Sequence, residues 1–260
     1  MAAIVTLTSD FGLRDSYVAQ LKAVILGITR DVHLVDVSHD VEPHDIMGGA
    51  LILEEAAGAF PPGTVHLAVV DPGVGGGRRA LALAARGFVF VGPDNGLFTP
   101  FLEDEGWQAF EIAEGRFRGP RVSHTFHGRD VFAPAAADLA AGLQPDQLGP
   151  PVPDPVRLSW PRVQSVGAEV AGAVIHVDRF GNLVTSIPAE TVAALGTDVV
   201  VRVGDRVLPL VKTYGDLERG KAGALIGSAN RLEIAVREGS ARAHLNAARG
   251  TPVVLTRHGA

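Results

Sequence analysis

The chain has 260 residues, of which 47% are hydrophobic and 20% are charged, and its formal net charge is −6 at pH 7. This composition excludes a disordered chain, and the absence of cysteine excludes disulfide scaffolds, thiolate metal sites and cysteine nucleophiles. The acidic balance, the lack of any apolar run near the ~18–20 residues that cross a bilayer, and an N-terminus unlike a signal peptide predict a cytoplasmic protein without nucleic-acid or membrane partners.

The first part of the chain alternates strand-like and helix-like segments. Short β-branched or apolar runs predict strands, and apolar residues at helical spacing predict helices. The expected strands are Ile4–Thr8, Val32–Val37, Val65–Val70, Leu81–Ala84 and Phe88–Val91, and the expected helices are Asp15–Ile28, Asp45–Ala57 and Val131–Leu143. Strands interleaved with helices predict an α/β domain with a largely parallel central sheet over residues 1–145.

A proline-rich segment follows this domain. Its prolines cannot support a helix or a central strand, so we expect a linker at residues 146–163. Beyond it, short β-rich runs broken by glycine predict a smaller all-β, barrel-like domain over residues 164–260. The expected strands there are Val170–Val177, Leu183–Ile187, Val199–Val203, Arg206–Leu210, Leu232–Val236 and Val253–Thr256, with short helices at Glu190–Leu195 and Ala241–Ala248.

Two acidic stretches follow expected strands of the first domain. Asp10 and Asp15 come after the first strand, and Asp71 opens a loop that contains four glycines and ends in Arg78 and Arg79. Ligands of open α/β sheets bind at the carboxyl ends of strands, so both stretches are candidate sites. Asp15 suits a helix cap equally well. The glycine loop lacks the Gly-Lys-Ser/Thr of a P-loop.

Other candidate stretches have ordinary structural explanations as well. His127 lies beside an arginine and an aspartate at the expected start of a helix, whereas the stretch Asp178–Asn182 reads equally as a β-hairpin turn. The cluster from Asp36 to Asp45 contains two histidines and could be drawn as a metal site, but its spacing matches no helix-borne histidine pair.

Taken together, these motifs resemble one family. The matching stretches, in chain order, are Thr8–Asp15, Asp71–Arg78, Pro93–Leu97, Thr125–Ala137, Asp178–Asn182 and Gly227–Val236. They are similar to those of the S-adenosylmethionine (SAM) hydroxide adenosyltransferases, or SAM hydrolases, which are related to the bacterial fluorinase and chlorinase. The resemblance implies an α/β domain, a β-barrel-like domain and a homotrimer whose substrate lies between one subunit's N-terminal domain and its neighbour's C-terminal domain.

The resemblance also implies catalytic residues. The hydrolases carry an Asp, an Arg and a His around the attacking water, which correspond here to Asp71, Arg78 and His127. The fluorinase-like branch has Tyr in place of Asp71 and of His127, and Ser in place of Gly128. It also has an inserted loop near Arg86 that this chain lacks. These differences favour water over halide, with no cofactor and no metal; whether Asp71 or His127 takes the proton stays open.

The same resemblance assigns the substrate contacts. Asp10 would bind the ribose hydroxyls, Asp178 the methionine ammonium, Ser228 its carboxylate and Asn182 the adenine edge. The other implied substrate-binding residues are Asp15, Phe126, Phe180, Tyr214, Glu233 and Val236. One departure concerns the methionine carboxylate, because Ala229 stands where the fluorinase branch has arginine.

The predicted function is hydrolysis of SAM to adenosine and L-methionine by in-line attack of an activated water on C5′. Three alternatives stay open. The protein could be a halide-dependent adenosyltransferase, a non-catalytic adenosine or SAM sensor, or a metal-dependent phosphohydrolase that uses the Asp36–Asp45 cluster.

Overall fold

The computed structural model describes residues 2–113, 122–159, 162–166, 169–196 and 198–257. Within it the chain divides into two compact units, Met1–Leu158 and Ser159–Ala260. The proline-rich segment packs on the first unit as far as Leu158, because Leu148 and Val152 are buried and Val152 N–H donates to Ala109 O. The linker and domain boundaries drawn from proline spacing stay predictions.

The first unit is built on a six-stranded mixed sheet. Its strands are β1 Ala3–Ser9, β2 Val32–Ser38, β3 Val65–Val69, β4 Ala80–Ala85, β5 Phe88–Pro93 and β6 Gln108–Glu111. They are ordered β2-β1-β3-β5-β4-β6; the pairs among β2, β1, β3 and β5 are parallel, whereas β4 is antiparallel to both β5 and β6. The predicted α/β class with a mostly parallel sheet is confirmed.

Three helices accompany this sheet: α1 Tyr17–Ile28, α2 Ile46–Ala57 and α3 Ala133–Ala140. Helix α1 buries Val18, Leu21 and Ile25, whose spacing of three and four residues places them on one helix face. Its N-cap residue is Ser16 rather than Asp15, whereas Asp45 caps α2 by accepting Gly48 N–H at 3.0 Å.

Helix α3 follows a π-helical turn, Gly128–Phe132. The helix is rich in alanine, and these small residues let it pack closely with α1 and the sheet in one buried apolar cluster. The π turn and α3 therefore hold the residues just before Gly128 against the sheet.

The second unit is an eight-stranded antiparallel sheet. Its strands are β7 Gln164–Val166, β8 Glu169–Val177, β9 Leu183–Pro188, β10 Val199–Val203, β11 Arg206–Pro209, β12 Ala222–Ile226, β13 Arg231–Val236 and β14 Pro252–Arg257, with helices α4 Ala189–Leu195 and α5 Ala241–Leu245. Seven of these strands follow the order β11-β10-β14-β8-β9-β13-β12, β7 pairs with β8 outside this order, and a bridge between Leu210 and Ala224 nearly closes the sheet. The predicted barrel-like β structure is confirmed.

Within the part of the chain that the structure describes, no helix combines the length and the apolar character needed to cross a membrane.

Candidate active site

Asp10 and Asp71 both lie at the same edge of the first sheet. β1 and β3 are parallel neighbours, and Ser9 at the end of β1 is in register with Val69 at the end of β3. The two aspartates follow these positions by one and two residues. The topology thus brings together two acidic residues that are 61 positions apart, at the edge where α/β proteins bind ligands.

The glycine loop after β3 packs on the segment that carries His127. Gly75 has φ +76°, a conformation that favours glycine, and a Cβ built on it would overlap the carbonyl oxygen of His124. Only a residue without a side chain allows the two backbones to approach this closely. Gly75 thereby brings the Asp71–Arg78 loop against the His127 segment.

Arg78 joins the other two predicted catalytic residues. Its Nε donates to Asp71 Oδ1 at 3.0 Å and Oδ2 at 3.1 Å, its Nη2 also donates to Asp71 Oδ2, and the same Nη2 donates to His127 Nδ1 at 2.9 Å. The side chains of Arg78 and Asp71 are 11% and 5% exposed, so this ion pair is largely shielded from solvent. The structure therefore brings Asp71, Arg78 and His127 into one cluster.

The bond from Arg78 determines where His127 carries its proton. A guanidinium has only donors, so His127 Nδ1 must accept, and a neutral imidazole then carries its proton on Nε2.

A cavity of about 280 Å³ lies beside this cluster. Four of the predicted site residues line it: Asp10, Asp71, Phe126 and His127. The remaining lining residues are Phe11, Tyr17, Pro43, His44, Val69, Val74, Thr125 and Gly128. Asp15 is exposed and is not in the lining.

Aromatic side chains make one wall of the cavity. The ring centroids of Phe11, Tyr17 and Phe126 lie 5.2–5.8 Å apart in tilted and edge-on arrangements, and the Arg129 guanidinium lies 5.0 Å from the Phe126 centroid. Sequence reasoning missed Phe11 and Tyr17, although two aromatic residues that follow the strand-end Asp10 within seven positions were an available signal.

His44 also lines the cavity, whereas sequence reasoning placed it in the candidate metal cluster. Its backbone N–H donates to Asp10 Oδ2 at 2.9 Å, and its φ of 69° lies in the left-handed region that non-glycine residues rarely adopt. One oxygen of Asp10 is thus held by backbone from the segment before α2.

The metal-site interpretation of the Asp36–Asp45 cluster finds no geometric support. Asp36 is bound by Lys22 and His39, and among the described residues no group of three or more His, Asp or Glu side chains is arranged to hold a metal ion.

The second unit has a cavity of its own, about 540 Å³ in volume. Four predicted substrate residues line it, namely Phe180, Asn182, Tyr214 and Val236, together with Gly215, Arg237, Glu238 and Gly239. Phe180 is 76% exposed and Tyr214 46% exposed in the single chain. Large apolar side chains with this exposure are typical of a binding surface when they are grouped around a cavity.

Asp178 organises the hairpin turn at this cavity. Its Oδ1 accepts the backbone N–H groups of Phe180 and Asn182 at 2.9 and 2.8 Å, and its Oδ2 accepts Asn182 Nδ2 at 2.9 Å. A carboxylate offers about four acceptor sites, so three bonds within the turn leave capacity for one cationic donor. The structural interpretation of this stretch and the ligand-binding one are therefore compatible.

Glu233 and Tyr214 form a second polar pair in this unit. Tyr214 Oη donates to Glu233 at 2.7 Å, and burial together with the bond to Glu233 raises the pKa of Tyr214 to about 12. Glu233 lies against Gly227, where a Cβ would overlap its carboxylate oxygen, and Ser228 follows as an exposed residue. The phenol is thus a stable hydrogen-bond donor at neutral pH.

Comparison with known proteins agrees with these two units. The model of the SAM hydroxide adenosyltransferase N-terminal domain matches residues 5–149, and that of the C-terminal domain matches residues 172–254. The chain belongs to the SAM hydroxide adenosyltransferase family. Within this family it is 44% identical to a protein from Thermus thermophilus named (R)-S-adenosyl-L-methionine hydrolase, over 95% of this chain and 97% of the relative.

Two further relatives define the range of the family. A solved structure from Thermotoga maritima, described as an uncharacterized conserved protein, has the same fold as this chain, with a TM-score of 0.91. The two are 37% identical, and the match covers 98% of this chain and 100% of that one. A protein from Actinoplanes named fluorinase is 31% identical over 82% of this chain and 83% of its own length.

Proposed function

We propose that this protein hydrolyses S-adenosyl-L-methionine to adenosine and L-methionine. The observation that carries the proposal is the Asp71–Arg78–His127 cluster beside a cavity that also contains Asp10. The identity to (R)-S-adenosyl-L-methionine hydrolases supports the same reaction, and their names support the (R) configuration at the sulfonium as the preferred epimer. A cytoplasmic location and the absence of nucleic-acid partners stay predictions.

The leaving group needs no proton from the protein. A water oxygen attacks C5′, the C5′–S bond breaks, and its electron pair stays on sulfur as the neutral thioether of methionine. The protein's task is to hold one water in line with that bond and to stabilise its developing hydroxide character.

We assign the proton of this water to Asp71. His127 accepts at Nδ1 from Arg78 and carries its own proton on Nε2, so in this tautomer the imidazole is a donor toward an oxygen nucleophile. Arg78 cannot act as a base and stabilises negative charge instead. Asp71 is then the remaining acceptor, and His127 orients the water.

The two cavities divide the substrate between them in this proposal. Asp10 binds the ribose hydroxyls, and Phe126 lines the pocket at C5′. Asn182 reads the adenine edge, with Phe180 and Tyr214 against the base. Asp178 and Ser228 hold the methionine ammonium and carboxylate, and the remaining residues proposed to bind the substrate are Asp15, Glu233 and Val236.

We further propose a homotrimer in which the first unit of one subunit and the second unit of its neighbour form each site. The exposed Phe180 and Tyr214 around an open cavity support a surface that is covered in the assembly.

The decisive experiment incubates the protein separately with the (R) and (S) sulfonium epimers and measures adenosine and methionine by chromatography. Equal amounts of both products, formed faster from the (R) epimer, are expected. Tight binding of either epimer without turnover would instead favour a sensor. A parallel incubation with chloride or fluoride tests for a 5′-halo-adenosine, which would favour a halide transferase.

Adjacent arginines offer a matched pair of variants. Arg78→Lys keeps the charge but loses the fork that spans Asp71 and His127, so we expect adenosine release to fall about 100- to 1,000-fold. Arg79 instead binds Asp94 at 2.7 Å and Asp154 at 2.8 Å. Arg79→Lys should retain activity, and equal losses in both variants would contradict the assignment of Arg78.

A further inference from the structure

A chain of hydrogen-bonded polar side chains begins at Ser9, the residue before Asp10, and runs from the buried Ser9 and His39 to the exposed Asp36. Ser9 Oγ and His39 Nδ1 are 2.7 Å apart, His39 Nε2 lies 3.1 Å from Asp36 Oδ1, and Lys22 Nζ donates to Asp36 Oδ2 at 2.6 Å. The residues come from β1, β2, the turn after β2 and α1. We call Ser9, His39 and Asp36 the Ser9 chain.

The Ser9 chain has the residue types of a nucleophilic triad but not the access. Ser9 is 1% exposed and His39 4% exposed, so the hydroxyl cannot meet a substrate carbonyl or C5′. A serine nucleophile needs an open face and a reacting atom within contact distance. The Ser9 chain can therefore affect the reaction only through the residues whose position it fixes.

The proton positions along the Ser9 chain follow from Asp36 at one end and Ser9 at the other. Partial burial raises the pKa of Asp36, but hydrogen bonds from Lys22 and His39 outweigh this and hold the pKa below its usual value. Ionised Asp36 accepts, and in the tautomer whose one proton is on Nε2, His39 donates to Asp36 and accepts a hydrogen bond from the Ser9 hydroxyl at Nδ1. The lone pairs of Ser9 Oγ then face the Phe11 backbone N–H at 3.4 Å.

These bonds end on both sides of Asp10. Ser9 precedes it, Phe11 follows it, and Gly12 N–H donates to the carbonyl oxygen of His39 at 2.8 Å. Gly12 has φ +66°, which lets the polypeptide turn back toward the residues after β2. The backbone that carries Asp10 is thus bonded on both sides, at Ser9 and at Gly12, to His39 in the turn after β2.

We propose that the Ser9 chain is a positioning device that sets the orientation of the Asp10 carboxylate and thereby the enzyme's recognition of the ribose hydroxyls. His44 N–H fixes one carboxylate oxygen, and the Ser9 chain fixes the backbone from which the side chain projects. This inference rests on the proposed role of Asp10 in the preceding section.

The test compares binding of adenosine and 2′,3′-dideoxyadenosine to the full-length protein by calorimetry. The wild type should bind adenosine at least about tenfold more tightly, because two hydroxyl donors to a carboxylate are lost in the dideoxy compound. Ser9→Ala should lower this ratio about tenfold or to near unity. KM should rise and kcat should change little, because the ribose is bound equally well in the ground state and in the transition state.

Two further variants separate positioning from general stability. In an Asp10→Asn background, Ser9→Ala should not change the ratio further, since both act on one interaction. Thr6→Val removes another buried hydrogen bond of β1, that to His66, and should lower stability without changing the ratio. Should Ser9→Ala not fold, His39→Gln, which can still donate to Asp36, serves in its place.

The outcomes distinguish the role of Asp10 from that of the Ser9 chain. A wild type that binds both nucleosides equally would overturn the role of Asp10. A wild type that discriminates, with a folded Ser9→Ala or His39→Gln variant that discriminates equally, would overturn the positioning role of the Ser9 chain alone.

Discussion

His66 is a titratable side chain near the start of β3, surrounded by aromatic rings. It is fully buried, stacks on Phe90 at 5.0 Å between centroids and meets Phe60 and Phe88 edge-on. Its Nδ1 bonds Thr6 Oγ1 at 2.7 Å. Burial lowers the pKa of His66 to about 4, because a charged imidazole would lose its hydration among these rings.

This shift predicts a pH-dependent stability. The unfolded chain binds a proton near pH 6.5 and the folded one only near pH 4, so the contribution is fully present above pH 6.5 and is lost as the pH falls toward 4. The loss amounts to roughly 3 kcal/mol in the free energy of unfolding. Denaturant titrations between pH 7 and 4.5 measure it.

The control for this prediction is His66→Asn, whose side-chain amide lies near the position of Nδ1 and can still bond Thr6 but does not titrate. We expect the variant to lack the His66 part of the slope of unfolding free energy against pH. Parallel curves for wild type and variant would show that other groups cause the acid sensitivity.

At the same residue scale, sequence reasoning named Asp71, Arg78 and His127, and the structure brings them together. It did not assign Phe11, Tyr17 or His44 to this site, because the lining of a cavity depends on which side chains turn toward one point in space. That direction is set by turns and by positive-φ backbone, as at His44, rather than by residue type.

At the scale of elements, the glycine loop after β3 illustrates how backbone geometry supports the site. Gly75 and Gly77 lie two residues apart in this loop, but only Gly75 combines a positive φ with a close approach to His124. A Cβ on Gly77 would meet nothing within 4 Å. The two positions provide a matched pair within one loop.

Gly75→Ala should displace the loop from the His127 segment and separate Arg78 from His127. We expect adenosine release to fall about 100-fold, since small misplacements of catalytic groups cost about that much. Gly77→Ala should remain within about twofold of the wild type, because surface changes away from such features have small effects. Comparable losses in both variants would mean that the loop tolerates no side chain anywhere.

Several elements escaped sequence reasoning. β6 reads Gln-Ala-Phe-Glu and β12 reads Ala-Gly-Ala-Leu-Ile, so neither shows the β-branched enrichment that marked the other strands. They become strands because β4 and β13 offer them backbone partners. Long apolar runs such as β3 were predictable because both faces of the strand are buried.

At the scale of the whole molecule, each unit carries a different part of the proposed substrate site. The trimer proposal predicts that sites form between subunits, so two inactive variants should complement each other. Asp71→Asn disables the first-unit half, and Asn182→Ala disables the second-unit half. In an equal mixture that assembles at random into cyclic trimers, about one site in four receives an intact half from each of its two subunits. About a quarter of the wild-type activity per site should therefore return.

Light scattering on the same samples measures whether the assembly has three times the 27.2 kDa mass of the chain. A trimer without recovered activity would place both halves of the site in one subunit. A monomer with full activity would contradict the trimer itself. The matched control mixes Asp71→Asn with Arg78→Lys, which damage the same half and should not complement.

The sequence by itself determined the fold class, most strands and helices, and the family resemblance, because these depend on local periodicity and on ordered motifs. Tertiary structure alone decided that Arg78 turns His127 Nδ1 into an acceptor, that Gly75 joins two loops, and that Ser9, His39 and Asp36 form one hydrogen-bonded chain next to Asp10. These contacts join residues that are distant along the chain. Strand register and backbone turns set their distances, and no local pattern encodes those quantities.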